Sequence, residues 1–312
     1  EKAFFLAKWK GTDMSTQITT AFVNQFSSNV TLLSQQRGSL LRSAVSEESV
    51  TGEKAFFDQI GASAAIKRTS RHSDTPIVDT PHSRRMVTMD SYEWADLIDD
   101  ADKVRLLIDP TSAYAQTAAN AIGRAMDDAI ISAATGTAST GKAGTTSTSL
   151  PTTQQIFADG DVGSDGGGTD ADLTIAKLLT AKEILDKNSV DPSIPRFIVV
   201  GPAQISSLLS TTQVTSSDFN TVKALAQGQI DSFLGFQFIV SNRLSLNSSN
   251  NERTCIAFAS DGIKLAVGKD VMARIEERAD KSFSTQVYYC ATFGATRMEE
   301  EKVVSIICDE DA

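Results

Sequence analysis

Apolar residues recur along this chain with several different spacings, and the changes of spacing mark its parts. From Ile18 to Leu33, the residues Phe22, Phe26, Val30 and Leu33 fall on one narrow stripe of an otherwise polar, Ser-, Thr-, Asn- and Gln-rich segment, which predicts a helix. Such a stripe either packs on its own domain or lies as an arm on a neighbouring subunit. Between Val50 and Ile108 the pattern becomes strand-like, at Lys54 to Ile60, Ala64 to Lys67, Arg84 to Met89 and Val104 to Ile108, interrupted by Pro76 and Pro81. A long two-stranded excursion follows from this, with a charged, proline-punctuated middle that cannot build its own core. A hairpin of that kind is marginal alone and needs a partner surface.

Asp109-Pro110 opens the clearest helix, with Asp109 as N-cap and Pro110 at the first helical position, where its missing N–H is harmless. Its apolar face runs through Tyr114, Ala118, Ala121, Ile122, Ala125, Met126, Ala129, Ile130 and Ala133, and Gly136 ends it. The helix should be roughly 39 Å long at 1.5 Å per residue, with alanines that allow close packing, as suits a spine. Residues 137–172 are dominated by Thr, Ser, Gly and Asp, with Leu150, Ile156 and Phe157 as the few apolar anchors. That composition predicts a surface insertion or loop, replaceable by a short linker without loss of cooperative folding. Then come an amphipathic helix from Leu173 to Lys187, a buried strand from Arg196 to Val200, a short helix from Pro202 to Leu209 and a strand from Phe233 to Val240, an alternation that predicts an α/β domain. Strands at Cys255 to Ala259, Ile263 to Val267, Ser284 to Thr292 and Lys302 to Ile307 close the chain, with turn signals at Asp261-Gly262 and Gly294.

Composition narrows the function. The 312 residues are 41% hydrophobic and 22% charged, enough for one large core or two modest ones. The apolar runs are far shorter than the roughly 20 residues that cross a bilayer, so no membrane partner is expected. A net charge of −10 opposes wrapping nucleic acid around the whole surface. Cys255, Cys290 and Cys308 lie in apolar strand-like stretches without CxxC spacing, which predicts buried thiols in place of disulfides or a zinc site. Met14 reads as a natural start, setting residues 1–13 apart as an unplaced extension; Glu1-Lys2-Ala3-Phe4-Phe5 recurs once at Glu53 to Phe57, too short a match to make a repeat.

Each chemical motif is incomplete. Gly136 to Lys142 has the spacing of a phosphate-binding loop up to its lysine, but Ala143 supplies no hydroxyl for magnesium, a helix precedes it instead of a strand, and Gly144-Thr145-Thr146 is a poor helix start. Asp161, Asp165, Gly166 and Asp172 fall at positions one, five, six and twelve of a calcium loop, yet Gly163 stands at position three and position twelve lacks a bidentate Glu. The two histidines, His72 and His82, both sit in the polar excursion. Asp99 with Asp100, Asp127 with Asp128, and Glu299 to Glu301 have no neighbouring feature that would raise a pKa. No catalytic, cofactor-binding or metal-ligating residue is therefore assigned. Lys67, Arg68 and Arg71, with Arg84 and Arg85 across the hairpin, concentrate positive charge in an acidic chain. They form either a solvated tip or a surface complementary to an acidic patch on another copy; with Phe22 and Phe26 they are the candidate inter-subunit contacts.

The order of parts, together with Ser34-Gln35-Gln36-Arg37-Gly38-Ser39-Leu40-Leu41-Arg42, Val50-Thr51-Gly52-Glu53-Lys54, Arg196-Phe197-Ile198-Val199-Val200-Gly201-Pro202, Leu234-Gly235-Phe236-Gln237 and Phe258-Ala259-Ser260-Asp261-Gly262-Ile263, resembles the major capsid proteins of tailed bacteriophages, of a podophage-type branch. The resemblance implies an α+β, Hong Kong-97-type fold: N-arm over 14–49, E-loop hairpin and flanking strands over 50–108, peripheral-domain spine helix over 109–136, the Gly/Ser/Thr-rich segment 137–172, an α/β axial domain over 173–253 and returning strands over 254–312. It further implies self-assembly into hexamers and pentamers of an icosahedral head enclosing double-stranded DNA, contacted non-specifically. Scaffolding, portal and decoration proteins would be possible partners, assembly would take place in the bacterial host cytoplasm, and the product would be the virion. An encapsulin-like storage shell is the nearest alternative, and a nucleotide- or calcium-dependent enzyme built on the 136–172 segment a more distant one. Because the phosphate-loop pattern is incomplete, Lys142→Ala is expected to leave the urea unfolding midpoint unchanged, with no saturable ATP binding by either protein in calorimetry.

Overall fold

The computed structural model describes residues 34–98 apart from 73 and 76, residues 111–210 and residues 232–311. In chain order it contains β1 (Ser46–Ser49), β2 (Lys54–Ile60), β3 (His82–Thr88), β4 (Asp90–Ile98), α1 (Thr111–Thr135), β5 (Ala138–Thr140), β6 (Thr146–Thr148), β7 (Gln155–Ile156), α2 (Ile175–Lys187), β8 (Arg196–Val200), α3 (Pro202–Ser210), β9 (Ser232–Phe233), β10 (Phe236–Val240), β11 (Leu246–Asn247), β12 (Glu252–Ala259), β13 (Ile263–Arg278), β14 (Ser284–Arg297) and β15 (Val303–Asp309). These form three sheets: β1-β13-β14-β4; β7-β15-β12-β8-β10-β9 with β11 beside β12; and β2-β3-β5-β6.

Helix α1 follows the expected periodicity. Ala118, Ile122, Met126 and Ile130 recur every four residues and are buried, and the helix packs over the β14 side of the first sheet, where Tyr92 and Phe293 stack with ring centroids 4.4 Å apart. Its 25 residues make about 37 Å at 1.5 Å per residue. The Asp109-Pro110 cap, the stripe at Phe22 and Phe26, and the strand expected from Val104 to Ile108 lie outside the described residues.

The second sheet carries the main core. β8 and β12 lie inside it, β8 paired with β10 in parallel and with β12 antiparallel, so Ile198, Val199, Val200 and the run from Cys255 to Ala259 are buried and read as unbroken apolar stretches. Helix α2 covers part of this sheet near β15 and β7. It begins two residues later than its apolar pattern, because Thr174 takes the cap and its hydroxyl accepts from the Lys177 N–H at 3.3 Å.

Three expectations need correction. Ala64 to Lys67 is not a strand: those residues are exposed and unpaired with any strand, whereas β4, which the pattern did not suggest, pairs with β14 from Asp90 to Ile98. Nor does β13 stop at Val267; it runs on to Arg278, paired with β14 through register shifts on either side of Lys269. Its outer half is exposed and charged, so no burial imprints an alternation on it.

The third correction concerns residues 137–172, which are paired into two sheets and not a bare surface loop. β5 joins β3 through Arg85 and Met86, β7 pairs in parallel with β15 at Ser305 and Ile306, and Leu150, Ile156 and Ala158 are buried. Backbone pairing ties this segment in, and backbone pairing leaves little mark on composition. Its acidic loop is organised by Asp159, whose carboxylate accepts from the N–H groups of Asp161, Gly166 and Gly168, while Asp172 is buried and accepts from Leu173 N and Gln204 Nε2. Ile156→Ala should cost about 2–5 kcal/mol in urea denaturation, and replacing residues 137–172 by a Gly-Ser linker should abolish soluble, cooperatively folding protein.

Candidate functional site

The β2–β3 hairpin leaves apolar and basic side chains exposed, and a buried charge network holds its base. Arg297, at the end of β14, is fully buried; its Nη1 donates to the carbonyls of Ala134 at 2.9 Å and Gly136 at 2.7 Å, and its Nη2 to that of Thr148 at 3.1 Å. Carbonyls at the end of α1 have no further helical turn to donate to them and lie at the negative pole of the helix dipole, so a guanidinium satisfies both needs. Burial pushes the Arg297 pKa below its ordinary value, the nearby Arg85 adds to this, and Glu300 opposes it. Glu300 stands between two cations: one oxygen lies 3.6 Å from Arg297 Nε and the other accepts from Arg85 Nη2 at 2.5 Å. Arg85 Nε donates to the Met298 carbonyl at 2.8 Å. One carboxylate thereby joins the β14 end, the α1 terminus and the hairpin strand β3.

A second junction anchors the segment preceding β1 on α1. Asp127, fully buried, accepts from Leu40 N at 3.0 Å, Leu41 N at 3.1 Å, Ser39 Oγ at 2.5 Å and Gln36 Nε2 at 2.5 Å. One turn earlier, Gly123 faces the Gly38–Ser39 backbone so closely that a Cβ there would overlap it, and Asn120 Oδ1 accepts from Gly38 N at 3.0 Å. Arg124 Nη1 adds bonds to Gln35 Oε1 and the Gln36 carbonyl. The stripe Asn120, Gly123, Asp127, polar or small at helical spacing, was readable in the sequence as a second face of the helix; Arg297 and Glu300 carried no such signal.

The expected contact residues separate into two groups. Arg85 must be withdrawn as an interface cation, since it is buried and its charge is used within the subunit by Glu300. Arg84 is bound laterally to Asp58 across the β2–β3 pair, at 2.5 and 3.2 Å, and lies over the Phe56 ring at 5.4 Å. That bond holds the Asp58 carboxyl below its usual range. Lys67, Arg68 and Arg71 remain exposed in the hairpin tip, where Arg68 Nε donates to the Ser70 carbonyl at 2.9 Å. The tip also exposes Ile66, Val78 and Ile77, the last 95% exposed, and Ile60 at its neck is 70% exposed. These isoleucines escaped notice because they are scattered among prolines and charges. Phe22 and Phe26 fall outside the described residues.

Below the tip, a cleft of about 650 Å³ opens beside the outer half of β3, lined by Asp58, His82, Arg84, Arg85, Thr140 and Lys142 among others. Lys142, the last residue of the phosphate-loop-like string, stands in the turn between β5 and β6, a hairpin with no helix after it. The three thiols are free and buried as expected; the hydrogen-bonding neighbour Cys255, and then burial, hold the Cys308 thiol well above its ordinary pKa. Among the described residues no group of three or more His, Cys, Asp or Glu is arranged to hold a metal, and no helix is long and apolar enough to cross a membrane.

A family model described as phage capsid protein matches residues 18–310. The fold is similar to that of the cyanophage P-SCSP1u capsid, with a TM-score of 0.69 and 18% identity over 93% of this chain and 94% of that one. It is similar as well to the Ralstonia phage GP4 capsid, with a TM-score of 0.68 and 11% identity over 99% and 98%. The acid-stable capsid of Helicobacter pylori bacteriophage KHP30 aligns at a TM-score of 0.68 and 9% identity over 98% and 100%. Identities this low speak for the fold alone, and no curated protein sequence matches the chain.

Arg297→Met removes three carbonyl partners and half of the Glu300 pairing, and should destabilise the subunit by about 3–5 kcal/mol, read from the urea midpoint. Arg84→Ala, which breaks an exposed pair, should stay within about 1 kcal/mol in the same assay.

Proposed function

Starting from the premise that the chain belongs to the phage capsid protein family, as the match over residues 18–310 shows, we propose how this major capsid subunit closes its shell. Copies associate in rings of six and five, the β2–β3 hairpin of each lying over its neighbour, and the finished head confines double-stranded DNA without reading its sequence. Family and fold are those of a structural protein. The observation that carries the hairpin's role is its tip: the described residues between Ile60 and His82 make no strand, expose Ile66, Ile77 and Val78, and set Lys67, Arg68 and Arg71 beside them. An apolar and cationic loop with no core of its own fits a surface supplied by another subunit.

The acidity of the chain supports the same assignment. With 39 acidic against 29 basic residues, a neighbouring copy presents mostly carboxylates, so a local cationic cluster meets opposite charge. A net charge of −10 likewise suits a container that encloses DNA without adhering to it over its whole surface. Scaffolding, portal and decoration proteins belong to this reading as partners, and the bacterial host cytoplasm as the place of assembly.

Exposed ion pairs are individually worth about 0.2–1 kcal/mol and are screened by salt, but a shell repeats each contact in every subunit. Arg68→Glu combined with Arg71→Glu should therefore leave the far-ultraviolet circular dichroism of the subunit near normal while abolishing particle formation or shifting its salt dependence strongly. Sedimentation at low and high salt is the measurement; normal particles under both conditions would leave the cluster as a solvated tip.

A further inference from the structure

The hairpin tip and one sheet edge are each left unfinished within the subunit, and their charges are opposite. Residues 61–69 are exposed and belong to no sheet, although 64–67 have the pattern of a strand. They carry Lys67 and Arg68 beside Ile66, which is 57% exposed, and no acid. The edge is β4, which is paired with β14 from Asp90 to Ile98 and carries no strand on its other side among the described residues. It contains Asp90, Glu93 and Asp96 and no cation. Glu93 meets the Tyr288 phenol and Asp96 the N–H of Leu97, neither of which neutralises a carboxylate, and Leu97 is 44% exposed. Lys269, Arg274 and Arg278 stand on β13, with the width of β14 between them and β4. A long free edge invites another strand; acids along it repel a second β4 and admit a cationic one.

The tip cannot reach the β4 of its own subunit. β4 lies along β14 from Thr285 to Phe293, the hairpin starts where Thr88 meets Gly294, and its far part lies by Met298, whose carbonyl accepts from Gln59 and Arg85. Hairpin and β4 therefore extend in opposite directions along β14. At about 3.3 Å per residue, Ile66 is about 20 Å of chain beyond Ile60, whereas Asp96, opposite Val287, is about 36 Å of strand away from Met298. Only another copy can bring the two together.

We propose that residues 64–69 of one copy add as an antiparallel strand to the β4 edge of a second copy. In the register that sets Ile66 opposite Leu97, Lys67 falls opposite Asp96, and Arg68 lies diagonal to Glu93 on the same face. Main-chain hydrogen bonds hold the added strand, while the charges select which edge receives it. The inference rests on the shell-subunit reading and deepens it by naming the surface on which the tip docks.

The test is a charge exchange in the full-length chain, read as the fraction of protein in fast-sedimenting particles. Lys67→Glu with Arg68→Glu, and separately Glu93→Lys with Asp96→Lys, should each lower that fraction about tenfold at low salt, as expected when like charges face each other across an interface. All four substitutions together should restore it to within about threefold of wild type. Each variant is checked for an unchanged urea midpoint; if the acid reversal disturbs folding, Glu93→Gln with Asp96→Asn takes its place and should lower the fraction about threefold. Normal assembly of the β4 variant, or a combined variant no better than its parents, overturns this contact and leaves the shell reading standing. A wild type that forms no particles overturns the shell reading and this contact with it.

Discussion

The buried guanidinium of Arg297 is the point on which the architecture turns. Taking a charge out of water costs several kcal/mol, and the cost is met only if its partners are placed in advance. Two sets come from distant parts of the chain, the carbonyls that end α1 and the carbonyl of Thr148 on β6, and the third partner, Glu300, stands three residues further along, just beyond β14. Because Glu300 is shared with Arg85 on β3, the same carboxylate that meets the buried guanidinium also holds the root of the hairpin. A hairpin that would be marginal in isolation is thus fixed at its root by a network of the kind that loses most when one member is missing.

Asp127 performs a related task at the middle of α1. It offers one carboxylate to two backbone N–H groups, a hydroxyl and an amide of residues 36–41, and Gly123 removes the side chain that would hold that segment off the helix. The helix is therefore clamped on one face by polar contacts and packed on another by Ile122, Met126 and Ile130 over the sheet. Its ends and flanks are determined, and what projects from it does so from a rigid base. A rigid root that carries a tip without a core of its own is the arrangement the proposed docking on a neighbour would use, because less freedom is lost when the base is already fixed.

Much of the fold was legible in the sequence wherever burial imposes a period. The α1 stripe from Ala118 to Ile130, the apolar runs of β8 and β12, the hairpin strands and the order of the parts all follow from side chains that must leave water. Legibility failed where backbone pairing or exposure governs. β4 and the outer half of β13 are held by strand pairing with β14 and are exposed over most of their length, and the β5 to β7 segment is bound into two sheets through very few apolar atoms. The candidate contacts divided for a parallel reason. Sequence adjacency made Arg84 and Arg85 look like one basic cluster, but strand alternation sends them to opposite faces, one to Asp58 at the surface and the other to Glu300 inside.

That alternation also explains how an acidic protein can self-associate. With a net charge of −10, two copies repel each other at long range, and the repulsion is screened beyond about 8 Å at physiological ionic strength. Attraction then has to come from short-range contacts in which a few cations and apolar residues meet the prevailing carboxylates. Burying Arg85 and Arg297 removes two cations from that surface, while the tip keeps Lys67, Arg68 and Arg71 exposed beside Ile66, Ile77 and Val78. Weak, screened contacts of this kind let a misplaced subunit leave again, whereas a closed lattice engages many of them at once and holds.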